Sequence, residues 1–126
     1  MTMNYTQLTQ DIRSNLSPLH KNLPQVMKGF GDMGKAALAE GALDMKTKEL
    51  IALAIGVAAR CDGCIGFHSK ALAGLAASEA EVHETLGVAV YMGGGPSLMY
   101  AANALAAFHE FSAAQSGGGQ GAKATL

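Results

Sequence analysis

The chain has 126 residues, 49% hydrophobic and 15% charged, with nine basic residues against ten acidic ones and a formal net charge of −1. This length supports one domain with its own core, and the apolar share excludes disorder over most of it. The basic residues form no polybasic footprint for nucleic acid or an anionic membrane, no apolar run approaches the ~20 residues of a spanning helix, and Met1–Ser14 lacks the pattern of a signal peptide, so a soluble cytoplasmic protein is expected.

The predicted elements are all helices, because no useful stretch alternates apolar and polar residues with the period of a half-buried strand. A first, short surface helix over about Tyr5 to Asn15 carries Leu8 and Ile12 four apart, and Ser17-Pro18 is expected to break it. A second starts near Pro24, a residue suited to a first helical turn, and runs to about Glu40, where Gly41 ends it. Val26, Met27, Phe30, Met33, Ala37 and Leu38 make its one-sided apolar face. Asp44 is the N-cap of a third helix to about Ala59, apolar enough to be central. A fourth runs from Cys61 or Asp62 to Gly74, with Cys64, His68, Ala71, Leu72 and Leu75 on one face.

Ser78 with Glu81 forms a capping box for a fifth helix to about Met92, and Gly93-Gly94-Gly95 is a turn. Pro96 starts a sixth helix to about Ala114. That helix has two apolar stripes: Leu98, Ala102, Leu105 and Ala106 form one, Tyr100, Ala104, Ala107 and Phe111 the other. In a chain this short the second side is most easily buried against another subunit. The low charge points the same way, since typical soluble domains carry about 25% charged residues. The reading is a single all-α domain over residues 1–112, with a flexible Gly-rich tail over 113–126.

The two cysteines, Cys61 and Cys64, stand three apart. Without an export signal, this C-x-x-C reads as redox or metal chemistry. At the start of a helix, free backbone N–H groups favour thiolate, and the spacing brings both sulfurs close enough for a disulfide. His68, four residues after Cys64, lies over that sulfur on the same helix face, where it can take the thiol proton. Glu49 sits on the otherwise apolar third helix beside Ala52, Leu53 and Gly56. A carboxylate there needs a partner, and Gly56 would let another backbone approach. Cys61, Cys64 and His68 would give a zinc ion three ligands where a structural site normally takes four. His83, beside Glu84, reads as a surface residue, and His109 as one that packs or caps near a helix end.

Glu49, eleven residues, Cys61-x-x-Cys64, three residues and His68 form a pattern that resembles the alkylhydroperoxidase AhpD-like core of the carboxymuconolactone decarboxylase family. Lys46–Ala54 before the motif, His68–Leu72 after it and Val90–Ser97 downstream add to the likeness, which covers roughly residues 20–112 with its motif core at 44–76. The resemblance implies an all-helical AhpD-like bundle assembled as a trimer or hexamer. It also implies a peroxidase or thiol–disulfide activity supplied by an external dithiol donor, without metal or organic cofactor. Cys64 would be the attacking thiol and Cys61 the resolving one, with His68 and Glu49 as the proton relay. Before the second cysteine, where the best-studied branch can carry a further histidine, this chain has Gly63. Two other activities fit the same residues: a disulfide reductase inert to peroxide, and a metal-binding or structural oligomeric module.

Overall fold

The computed structural model describes residues 3–116, and every regular element among them is an α-helix. These are α1 (Tyr5–Asn22), α2 (Pro24–Leu38), α3 (Met45–Ala58), α4 (Asp62–Gly74), α5 (Glu79–Gly93) and α6 (Gly95–Ser116). Side chains just ahead of four helices satisfy their first free N–H groups. Asn4 accepts from Gln7 N, Asp44 from Thr47 N and Cys61 from Cys64 N, and Ser78 completes a reciprocal capping box with Glu81. None of the described helices is long and apolar enough to cross a membrane.

Helices α3 to α6 enclose the core. α4 packs on α3 and α6, and α5 on the same two helices. Leu53, Val57, Ile65, Leu72, Val82, Ala104 and Ala107 have no exposed surface. Each of the larger ones contributes about 1.5–3 kcal/mol through burial. α1 lies across α4 and α6, while α2 touches only α1 and α3.

Four expectations are corrected. The first helix does not break at Ser17-Pro18 but continues to Asn22. Pro18 forfeits the bond to Ser14, and that stretch is exposed, so water can take the freed carbonyl. Nor is α1 a surface helix throughout, because Tyr5 and Thr9 are buried. The second helix ends at Leu38, ahead of Glu40 and Gly41, and its apolar face packs on little: Val26, Phe30 and Met33 are exposed. The sixth helix starts at Gly95 and runs on to Ser116, so residues 113–116 are helical, and the rest of the expected tail, 117–126, lies outside the described residues.

The two stripes of α6 have different fates. Ala104, Ala107 and Phe111 are buried within the chain. Leu98, Ala102 and Leu105 instead line a groove of about 330 Å³ shared with Leu86 and Val90 of α5.

Candidate active site

The site is built on the α3–α4 hairpin. α3 ends in paired bonds, Cys61 N to Gly56 O at 3.0 Å and Arg60 N to Val57 O at 3.1 Å, with Arg60 in the left-handed region at φ 57°. Glycine usually fills such a place, so Arg60 carries about 1 kcal/mol or more of strain. This tight turn reverses the chain within three residues and delivers Cys61 to the N-cap of α4. The two helices then meet closely. A Cβ on Gly56 would lie 3.1 Å from the Cβ of Cys64, so the missing side chain is what lets the dithiol helix approach α3.

Cys61 and Cys64 are joined as a disulfide, with Cα atoms 5.2 Å apart. Both are half-buried. The Cys61 sulfur also accepts the Cys64 N–H at 3.1 Å. An anion formed there on reduction would sit against free N–H groups at the positive end of the helix dipole. Among the described residues, no group of three His, Cys, Asp or Glu side chains is placed to hold a metal ion.

Two helical turns before Gly56 stands Glu49, which is only 2% exposed. Because the hairpin is antiparallel, moving toward the start of α3 also moves toward the end of α4, and Glu49 comes level with His68. Its Oε1 lies 2.6 Å from His68 Nδ1. With a carboxylate as acceptor, Nδ1–H donates, and Nε2 of the neutral ring keeps the lone pair that can take or return a proton. The pairing satisfies a carboxylate that would otherwise be stranded in the core. Thus the hairpin brings together Glu49, Cys61, Cys64 and His68. His83 and His109 lie elsewhere. Both are exposed and reach Glu79, at 3.2 and 2.8 Å: His83 is the surface residue expected, and His109, whose ring also lies against Phe108, bridges α6 to the first turn of α5.

The sequence reading missed the contribution of α1. Its Ile12 and Thr9 lie on Gly63 and Gly66 of α4. A Cβ on Gly63 would come within 2.9 Å of Ile12 Cδ1, and one on Gly66 within 2.8 Å of Thr9 Cγ2. Gly63, just before the second cysteine, is therefore covered by an aliphatic side chain. Tyr5 is fully buried, and its hydroxyl donates to Asp62 Oδ1 at 3.3 Å. Burial first, and the Asp62 charge second, push the Tyr5 phenol well above its usual range, so it stays a donor. From α6, Glu110 accepts from Tyr5 N, Thr6 N and the Thr6 hydroxyl at 3.1, 2.7 and 2.6 Å. Burial would raise the Glu110 carboxyl, but these hydrogen bonds outweigh it and hold the group below the usual carboxylate range. The available signal was the spacing Tyr5, Thr9, Ile12 (one helix face) beside Gly63 and Gly66, a pair one turn apart.

The sequence profile of the carboxymuconolactone decarboxylase family matches residues 24–107. An uncharacterized protein of Cupriavidus necator is 34% identical over 113 residues, covering 84% of this chain and all of the relative. A carboxymuconolactone decarboxylase family protein of Legionella pneumophila, solved in its apo form, superposes with a TM-score of 0.84 at 57% identity, over 86% of this chain and 96% of that one. A family protein of Thermotoga maritima, with a suggested part in an antioxidative response, gives a TM-score of 0.77 at 28% identity, over 87% and 94% of the two chains.

Proposed function

Since the chain belongs to the carboxymuconolactone decarboxylase family, we propose that it is a dithiol oxidoreductase of the AhpD-like type that reduces peroxides. The observation that carries this reading is the disulfide at the tip of α4, with the buried Glu49 bonded to a half-buried His68 one turn deeper. In the reduced enzyme, His68 takes the Cys64 proton. The thiolate attacks the peroxide O–O bond, which breaks to give a Cys64 sulfenic acid and an alcohol protonated through the relay. The Cys61 thiolate then attacks the sulfenic sulfur, water leaves, and the disulfide forms. An external dithiol returns two electrons and two protons and is itself oxidised, which ties the cycle to a reducing compartment such as the cytoplasm. The suggested antioxidative part of the Thermotoga maritima relative is in line with this chemistry.

The test starts from the reduced protein. One equivalent of an organic hydroperoxide is expected to remove two mass units, an added dithiol to restore them, and the two together to sustain peroxide consumption. A protein that keeps its mass under peroxide is no peroxidase. The Cys61 sulfur, held by a backbone N–H, favours a second reading as a disulfide reductase. That reading gains if disulfide substrates turn over while peroxide does not.

We also propose that the active form is a homo-oligomer, a trimer or hexamer. Val26, Phe30 and Met33 on α2, and Val88, Tyr91, Met92, Leu98 and Met99 on α5 and α6, are all about half or more exposed, more apolar surface than a stable monomer leaves in water. Light scattering is expected to return three or six times the chain mass of 12.9 kDa, and a monomer at micromolar concentration would refute the assembly.

A further inference from the structure

Asp62 occupies the first position of α4, between a sulfur at the N-cap and a second sulfur two residues on. The free N–H groups of that first turn are shared between whatever anions stand there. The Cys64 N–H is already committed to Cys61 Sγ. A thiolate formed on reduction therefore shares its turn with a carboxylate of the same sign, and like charges in one turn oppose each other. That carboxylate also accepts the Tyr5 hydroxyl at 3.3 Å. Tyr5 cannot leave it easily. The ring is buried, its Cδ1 would touch a Cβ on Gly66, its own N–H is held by Glu110, and Thr9 and Ile12 seat the same helix on Gly66 and Gly63. The other charged groups near the sulfurs are differently engaged: Glu49 and His68 bond each other, and Arg60 is exposed.

We propose that the Tyr5–Asp62 contact sets the reduction equilibrium of the Cys61–Cys64 pair. The Asp62 carboxylate opposes thiolate formation and favours the disulfide, while the Tyr5 hydroxyl draws off part of that charge and limits the bias. Both are positioning residues that act through the sulfurs. The inference rests on the pair being redox-active, not on peroxide being its substrate. Helix α1 thereby reaches the chemistry although most of its length adds only packing.

The test equilibrates the full-length protein with mixtures of reduced and oxidised dithiothreitol. Two protein thiols form as the reagent's two thiols close to its cyclic disulfide, and the dithiol fraction is read by alkylation and mass. Asp62→Asn keeps an oxygen acceptor for the phenol and removes the charge. It is expected to shift the equilibrium toward the dithiol by at least about threefold and to lower the pH at which the first thiol becomes alkylatable. Tyr5→Phe is expected to shift both readouts the opposite way. In the Asp62→Asn background, Tyr5→Phe is expected to be silent. An unchanged equilibrium in both single variants overturns the proposal. So does a Tyr5→Phe shift that persists without the Asp62 charge, because that would reflect loosened packing of α1. A wild-type pair that exchanges with dithiothreitol yet ignores hydroperoxide overturns the peroxidase reading and leaves this one standing.

Discussion

Cys64→Ser is expected to lower peroxide consumption by at least about a thousandfold, to the uncatalysed background, while Cys61→Ser completes one attack and halts at the sulfenic acid. The two substitutions look alike in composition but differ in consequence because the sulfurs occupy different places. Cys64 stands four residues before His68 on the same face of α4 and lies against Gly56 of α3, which in the proposed cycle makes His68 its proton acceptor. Cys61 is the N-cap and contacts the Cys64 N–H. Serine is a better N-cap than cysteine, so Cys61→Ser keeps or improves the start of α4 and isolates the loss of the resolving thiol. A sulfenic-acid trap read by mass is expected to label Cys64 in the Cys61→Ser protein and nothing in the Cys64→Ser protein. Labelling of Cys61 in the latter would reverse the order of attack. Full turnover in both would remove the dithiol cycle altogether.

The parts of the fold that could be read in the sequence are those set by contacts within a few residues. Asp44 with Thr47, and Ser78 with Glu81, are side chain–backbone bonds three residues apart, and they place the starts of α3 and α5. The C-x-x-C spacing and the offset of His68 are equally local. The meeting of Glu49 with His68 spans 19 residues; the apolar helix showed only that Glu49 needs a partner and that Gly56 admits a neighbour, and the family resemblance named His68. Pro18 misled because the rule that proline ends a helix is weakest where the freed carbonyl faces water. The role of α1 was harder to read for a different reason: one helix face shows that something is packed, not what it packs on. Its anchoring to Glu110 joins residues more than a hundred positions apart, and its seating on Gly63 and Gly66 joins residues about fifty apart. No periodicity within α1 encodes which groove receives it. The face of α2 is a third case: its pattern is clearly amphipathic, but nothing among the described residues covers Val26, Phe30 and Met33.

Removing either member of the Glu49–His68 pair is expected to separate chemistry from stability, because the two groups are buried unequally. Side-chain exposure is 3% for Glu49 and 17% for His68. Glu49→Gln preserves the shape and an oxygen that can accept from Nδ1–H, so the fold should stay within about 1 kcal/mol of the wild type in urea unfolding. It removes the charge that steadies a protonated ring, and turnover should fall about 10²- to 10⁴-fold, the range of general acid–base catalysis. His68→Ala acts differently. It leaves the carboxylate in the core without a partner, and an uncompensated buried charge costs about 3–5 kcal/mol at neutral pH. His68→Ala is therefore expected to unfold at a clearly lower urea concentration than Glu49→Gln. Urea midpoints of the two variants at neutral pH check the difference. If the two substitutions cost the same stability, Glu49 is not held in the core by His68, and if Glu49→Gln turns over at the wild-type rate, the carboxylate has no part in moving the proton.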